Sequence, residues 1–222
     1  MCGRFTLTTD IQTIAQTFHA SAPSSLQSAP RYNVAPTQNV VAVMNNDGER
    51  HLEMLRWGLI PAWAKEESVG SRMINARAET LAEKSSFKRL LRNRRCVIVG
   101  DGFYEWAQEP GTKSKTPMYI TMKDHELFAF AGLWDSWPTP SGQQLRTCTI
   151  ITTEPNALMA AIHNRMPALL LPDALTTWLD PEVQDEQELS RLLNPYPTEL
   201  MVARPVSRLV NNPKYDSAEL IA

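Results

Sequence analysis

The sequence contains few cysteines and few histidines. Its three cysteines, Cys2, Cys96 and Cys148, are far apart among 222 residues, and its four histidines do not accompany them at the spacing of a zinc site. An odd, scattered set of cysteines argues against a disulfide framework and is typical of a reducing compartment. We therefore expect neither a structural metal nor any cofactor.

Long apolar runs and an excess of one charge are also missing. No stretch approaches the roughly 20 apolar residues of a membrane helix, and the opening MCGRFTLTTD lacks the apolar core of a secretory signal. We expect a cytoplasmic protein with no membrane partner. The formal net charge of −2 argues against a protein that coats duplex DNA by bulk electrostatics, so any nucleic-acid contact has to come from a local groove.

The pattern of apolar residues predicts many short strands and few helices. Helices are predicted at 10–18 (with Thr8 or Thr9 as N-cap), 86–94, 155–162, 173–179 and 185–193. Strands are predicted at 39–45, 50–57, 96–99, 102–107, 117–122, 126–133, 145–152 and 200–206. This order predicts an α+β fold, a single compact domain over residues 1–222. It would have an antiparallel, partly closed, barrel-like sheet and a few short peripheral helices, and we expect it to be a monomer.

Position 2 gives the clearest chemical signal. Removal of Met1 would leave Cys2 with a free amine (pKa about 8) and a thiol (pKa about 8.5), both usable as nucleophiles near neutrality. Such an aminothiol condenses with an aldehyde to an imine, and its thiol then closes a thiazolidine ring. Gly3 permits close backbone approach, and the Arg4 guanidinium matches a phosphate. The alternative is that Cys2 is only a small residue near a frayed terminus.

A second polar cluster lies in the segment MINARAET. Asn75, Arg77 and Glu79 alternate along it, so in an extended chain they would share one face above Ile74 and Ala76. The amide could bind a sugar oxygen and the arginine a phosphate. A solvated strand surface would have the same pattern.

Two further segments place polar groups among apolar ones. Glu105 lies between aromatic residues in GDGFYEWA, where a carboxylate is expensive to desolvate and is suited to proton transfer. The alternative is a buried glutamate that pairs with an arginine for structural reasons. Trp106 beside it is either core or a platform for a base. His163 and Arg165 form a polar island in AAIHNRMPALLLP, after a predicted helix, and loops of this kind often carry function.

Several motifs together make the chain resemble the SOS-response-associated peptidase (SRAP) family. They are MCGRF, RYNVAPTQ, RWGLIPAW, INARAET, DGFYEW, IHNRMP and the closing PVSRLVNNPKYDSAELI. The resemblance implies a covalent sensor of abasic sites in single-stranded DNA, with possible lyase and Met1 self-processing activities. By matching motifs it makes Cys2 the nucleophile, with Asn75, Glu105 and His163 as its catalytic partners. Arg4, Arg77 and Arg165 would hold phosphates, and the implied fold is a compact α+β domain around a barrel-like sheet.

Other function classes stay open at this stage. Met-Cys-Gly also begins N-terminal-nucleophile amidohydrolases, so a glutaminase or a protease acting through the Cys2 thiol is the main alternative. A passive module for single-stranded DNA would bind reversibly, with strong salt dependence, and would not need Cys2.

Overall fold

Two β-sheets form the frame of the protein, described by a computed structural model over residues 2–222. The strands in chain order are β1 (Phe5–Leu7), β2 (Arg31–Val34), β3 (Asn39–Asn46), β4 (Glu49–Trp57), β5 (Asn75–Arg77), β6 (Arg95–Gly100), β7 (Gly102–Gln108), β8 (Lys115–Met122), β9 (Phe128–Pro138), β10 (Gln144–Thr153), β11 (Met166–Pro167), β12 (Leu169–Leu170) and β13 (Met201–Pro205). The α-helices are α1 (Ile11–Thr17), α2 (Ser85–Asn93), α3 (Ala157–Ala160), α4 (Pro172–Leu179) and α5 (Glu186–Arg191), and short 3-10 turns lie between the elements.

The larger sheet closes on itself. Its strands follow the order β11-β10-β4-β3-β6-β9-β12, and the long antiparallel pairing of β9 with β10 joins β10, β4, β3, β6 and β9 into a ring. Closure buries β6 at every position, as expected for a strand covered on both faces. The expected barrel-like α+β fold is confirmed. The sheet is not wholly antiparallel, because β10 runs parallel to both β4 and β5.

The smaller sheet holds the N-terminal strand in its interior. Its order is β13-β8-β7-β1-β2, so β1 is hydrogen-bonded on both sides, to β2 and to β7. The Phe5 ring packs against Trp57 and Phe130 of the larger sheet, with centroids 5.3 and 5.4 Å apart. These aromatic contacts join the two sheets and fix the position of the first residues of the chain.

The cap of the first helix is not the one expected. Asp10 caps α1 by accepting hydrogen bonds from the backbone N–H groups of Gln12 and Thr13, at 2.9 and 3.0 Å. Thr8, one of the two expected caps, instead donates to the Asp101 carboxylate through its backbone N–H and its hydroxyl. The expectation was wrong because a distant carboxylate binds the threonine.

The other predicted elements occur with shifted bounds. The helix expected at 155–162 is only α3, one turn long, because Asn156 caps it and the chain leaves the helix at Ala161. The strand expected at 126–133 extends to Pro138, since β10 pairs with it along that whole length. Pairing across the sheet, which local patterns do not contain, set these limits.

Buried acidic groups in this core predict a loss of stability at high pH. Burial raises the pKa of the thiols of Cys96 and Cys148 well above the ordinary value, and it raises the pKa of Tyr119 to about 12. The folded chain therefore keeps protons that the unfolded chain releases above about pH 8.5. The free energy of unfolding should fall by about 1.4 kcal/mol per pH unit for each such thiol once that pH is passed.

Urea unfolding between pH 7.5 and 10 measures this slope, and the Cys148→Ala variant should lose part of it. A free energy of unfolding that stays constant to pH 10 would contradict the assignment of these thiols as neutral core groups.

Candidate active site

Cys2 lies buried just ahead of β1, within electrostatic reach of Glu105. Its side chain is 0% exposed, and the Arg4 backbone N–H donates a hydrogen bond to its sulfur. Burial raises the pKa of the Cys2 thiol well above its ordinary value, and the negative charge of Glu105 raises it further. The thiol is therefore neutral in the folded chain, with a carboxylate beside it.

Pairing between β1 and β7 brings these two residues together. Phe5 lies opposite Phe103, and the Tyr104 N–H donates to the Arg4 carbonyl oxygen at 3.0 Å, which continues the antiparallel register toward the N-terminus. Alternation along β7 then places Glu105 on the same face as Phe103, toward the larger sheet. Glu105 is accordingly only 2% exposed.

Trp106 lies on the opposite face of β7. Its indole N–H donates to the Asn211 side-chain oxygen at 2.7 Å, and its ring packs with Tyr104 and Val210 in a small apolar cluster. The structure thus ties Trp106 to the C-terminal segment, while its expected stacking on a base stays a prediction.

A buried amide, Asn33, links the N-terminal strand to the C-terminal segment. The Arg4 guanidinium donates to the Asn33 side-chain oxygen and to the Val210 carbonyl, both at 2.7 Å. The Asn33 amide nitrogen donates in turn to the carbonyls of Val210, Asn212 and Tyr215 at 2.8–3.2 Å. Three Arg4 donor contacts, these two and a longer one to the Asn211 carbonyl at 3.4 Å, are therefore made within the protein instead of to a phosphate.

Asn75 and Arg77 are held by β10. Asn75 lies beside Ile150 and Arg77 beside Thr152 in the parallel pairing of β5 with β10. The Asn75 side-chain oxygen is buried and has no hydrogen-bond partner among residues 2–222. An unpaired buried acceptor is costly, and it marks a place where a ligand can donate a hydrogen bond.

Glu79 does not share an extended face with Asn75 and Arg77, contrary to expectation. β5 ends at Arg77, and a 3-10 turn follows at Ala78–Thr80. The Glu79 carboxylate there receives two hydrogen bonds from the Arg165 guanidinium, at 2.6 and 3.0 Å. A long-range ion pair accompanies this turn, which the alternating sequence pattern could not reveal.

His163 and Arg165 lie on the turn after α3. The backbone N–H of His163 donates to the Met159 carbonyl at 2.7 Å, and the Nδ1 atom of the His163 ring accepts from the Arg165 backbone N–H at 3.1 Å. Because Nδ1 is an acceptor, the neutral ring carries its proton on Nε2. This geometry makes the Nε2–H the donor that His163 can present.

Trp57 connects the two halves of the candidate site. Its ring packs on Phe5 at 5.3 Å, and its indole N–H donates to the carbonyl of Ile74, next to Asn75, at 2.9 Å. The β1 end that carries Cys2 and the β5 strand that carries Asn75 thus contact the same side chain. This role of Trp57 was not predicted, because an apolar strand pattern is sufficient to explain a tryptophan at this position.

Trp63 is a large apolar side chain held out in solvent. It is 69% exposed, although both of its neighbours are fixed to β9. The Ala62 N–H donates to the buried carboxylate of Asp135 at 3.0 Å, and the Trp137 indole N–H donates to the Ala64 carbonyl at 2.7 Å. Buried polar groups thus support a loop that leaves one aromatic ring exposed.

No cluster of three or more metal-ligating side chains occurs in the part of the chain that the structure describes. Within the same residues, no helix is long and apolar enough to cross a membrane.

Comparison with known protein families shows which family has this sequence. The family model described as SOS response associated peptidase (SRAP) matches residues 1–213. The chain belongs to this family. It is 50% identical, over its whole length and 99% of the relative, to the abasic site processing protein YoqW of Bacillus subtilis. It is 32% identical to the abasic site processing protein HMCES of Rattus norvegicus, covering 87% of this chain and 65% of that protein.

Solved structures support the fold of this SRAP chain. A protein from Bacteroides thetaiotaomicron superimposes with a TM-score of 0.87 at 28% identity, over 99% of this chain and 98% of the other. A phage-related protein from Bordetella bronchiseptica gives a TM-score of 0.73 at 26% identity, over 93% and 95% of the two chains.

The Asn33 link predicts a specific loss of stability. Asn33→Ala removes a buried amide and leaves carbonyls and the Arg4 guanidinium without their partner, so the free energy of unfolding should fall by about 2–4 kcal/mol. Urea unfolding measures the loss, and the exposed Asn93→Ala serves as the matched control. Equal free energies of unfolding for the two variants would show that the Asn33 hydrogen bonds do not stabilise the contact between the N-terminal strand and residues 210–215.

Proposed function

We propose that this protein captures abasic sites in single-stranded DNA covalently through Cys2. The observation that carries the proposal is the burial of the Cys2 thiol within electrostatic reach of the Glu105 carboxylate. The names of the relatives support it, because YoqW and HMCES are both called abasic site processing proteins.

Capture begins with removal of Met1, which lies outside the described residues. Cys2 then carries both an amine and a thiol. The amine adds to the open-chain aldehyde of the abasic sugar, and loss of one water gives an imine. The thiol adds across the C=N bond, its proton passes to nitrogen, and a thiazolidine ring joins protein and DNA. The fold would contribute mainly proximity, since all three reacting groups are held together.

Glu105 and His163 would move the protons. In ring opening, the His163 Nε2–H would donate to the sugar ring oxygen as its bond to the anomeric carbon breaks, and Glu105 would take the proton of the anomeric hydroxyl. Glu105 would then pass this proton back to His163, which restores both the neutral imidazole and the carboxylate. Glu105 also accepts a proton from the Cys2 ammonium, which frees the amine to attack. The acceptor role of His163 Nδ1 supports this division, since it leaves the proton on Nε2.

Asn75 and the arginines would position the damaged strand. The buried, unpaired side-chain oxygen of Asn75 would accept a hydrogen bond from a sugar hydroxyl. The exposed guanidinium of Arg77 has no hydrogen-bond partner among residues 2–222, so a phosphate can bind it directly. Arg4 would contribute with the donors that Asn33, Val210 and Asn211 leave unused, and Arg165 would supply a further phosphate contact.

The same chemistry includes two side activities. An imine that does not close to the ring acidifies the neighbouring sugar carbon, and β-elimination then breaks the strand. A Cys2→Ser variant should therefore form no stable adduct while keeping some lyase activity. The peptidase activity in the family name would correspond, for this chain, to self-removal of Met1.

Intact mass spectrometry tests capture directly. The protein is mixed with a single-stranded oligonucleotide that bears one abasic site, without reductant. We expect a species at the mass of the Met1-free protein plus DNA minus one water, stable to denaturation and absent for Cys2→Ala. The Cys148→Ala variant is the matched thiol control and should form the adduct normally.

Other outcomes separate the alternatives. A stable adduct with Cys2→Ala would rule out the thiazolidine. No adduct, together with glutamine hydrolysis that depends on Cys2, would favour an N-terminal-nucleophile amidohydrolase or protease. Reversible, salt-dependent binding that is unchanged in Cys2→Ala would favour a passive single-strand binding module.

Trp63 predicts a preference among DNA forms. An exposed aromatic ring on a supported loop can stack on an unpaired base, which a continuous duplex does not offer. Trp63→Ala should weaken binding of single-stranded DNA by about 1–3 kcal/mol, as measured by fluorescence anisotropy. Leu171→Ala, which alters another exposed apolar residue, should leave binding unchanged, and equal capture on single strand and intact duplex would contradict the preference.

A further inference from the structure

Most donors of Arg165 are already used within the protein. Its two terminal nitrogens donate to the two Glu79 carboxylate oxygens at 2.6 and 3.0 Å, and the second of them also donates to the Thr152 carbonyl at 2.6 Å. The remaining nitrogen, Nε, is buried and has no partner among residues 2–222. Three of the five N–H groups of this arginine are thus used, and one terminal N–H and the buried Nε–H remain.

Arg165 therefore differs from Arg77, although both were expected to hold phosphates. The Arg165 side chain is only 15% exposed, and the paired Glu79 side chain is 43% exposed. Arg77, on the neighbouring strand, is exposed and has no hydrogen-bond partner for its guanidinium in the described chain. A strand can bind Arg77 at once, whereas a two-point phosphate contact at Arg165 requires Glu79 to leave.

We propose that Glu79 is a specificity-determining residue that competes with DNA phosphate for Arg165. Glu79 occupies the fork of the guanidinium that a phosphate would otherwise take. Displacing this carboxylate costs free energy of binding. An undamaged single strand has no covalent bond to offset that cost, whereas an abasic strand is retained by the proposed Cys2 adduct. This inference rests on the proposed function, and it assigns to Glu79 the suppression of binding to undamaged strand.

The exchange is sterically simple and electrostatically controlled. Glu79 sits on a 3-10 turn at the surface, so its side chain can rotate toward water without opening the core. Although burial opposes ionisation, hydrogen bonds from Arg165 and the charges of Arg165 and Arg77 hold the pKa of Glu79 below its usual range. The carboxylate is thus ionised at neutral pH, and it repels an approaching phosphate while it holds Arg165.

Binding of an undamaged oligonucleotide tests the competition without any covalent step. The probe is a fluorescein-labelled, twelve-residue oligothymidylate, titrated with the full-length protein over a series of KCl concentrations. Glu79→Gln should tighten binding about three- to tenfold at low salt. It should also steepen the dependence of log K on log salt by about 0.7, the value for one additional phosphate on single strands.

Two variants identify the cause of any change. Glu83→Gln removes an equal charge from an exposed position of the same segment, so it should tighten binding much less. In an Arg165→Gln background, Glu79→Gln should have no effect beyond that of Glu83→Gln, because the guanidinium for which it competes is gone. Circular dichroism and thermal unfolding check that each variant is folded. Glu79→Ala repeats the test if Glu79→Gln is not.

The opposite result would overturn the inference. Weaker binding by Glu79→Gln would mean that Glu79 positions Arg165 for DNA. An equal gain from Glu83→Gln, or a gain that survives in the Arg165→Gln background, would mean that only bulk charge matters. Each of these leaves capture of the abasic oligonucleotide by the wild-type protein intact. Absence of both capture and oligothymidylate binding would instead reject the proposed function together with the inference.

Discussion

The pairing of β1 between β2 and β7 is the interaction on which the candidate site depends. An N-terminal residue is ordinarily mobile, but here the strand that begins at Phe5 lies inside a five-stranded sheet and packs on Trp57 and Phe130. Cys2 is only three residues ahead of that strand. Its thiol therefore takes the position that the core dictates, beside Glu105 of the neighbouring strand.

Closure of the larger sheet supplies the other half of the site. The ring through β9 and β10 leaves one edge of β10 to pair with the short strand β5, which carries Asn75 and Arg77. The turn that holds His163 and Arg165 is fixed to the same strand, because Arg165 donates to the Thr152 carbonyl. Polar groups distant in sequence thus share one rigid support, as precise positioning of a site requires.

Much of the fold could be predicted from the sequence, because buried faces of strands and helices require apolar residues at regular spacing. The strands β3, β4, β6 and β10 were predicted within one or two residues, since each is bounded by turn residues and contains a run of apolar or alternating positions. The limits of α3 and β9 were not, because they depend on an N-cap and on a pairing partner far along the chain. Local patterns carry no information on such partners.

The candidate residues divide in the same way. Cys2, Glu105 and His163 stand out from their neighbours in chemical type, which is why the sequence singled them out. Asn33 and Asp135 do not stand out, since a lone polar residue in a strand is usually solvated, and only the fold reveals the backbone groups that they bind. Glu79 was recognised as polar, but its partner Arg165 is 86 residues away in the sequence. Local sequence patterns therefore could not predict this ion pair.

The link from Arg4 through Asn33 to Val210 has a consequence for biosynthesis. Residues 2–4 leave the ribosome well before residues 210–215, to which the carbonyl groups that fix the Arg4 and Asn33 side chains belong. The nascent chain therefore cannot complete the surroundings of Cys2 until residues 206 positions beyond Arg4 have been synthesised. A reactive group is thus enclosed only after a much later part of the chain has been made and has folded against it.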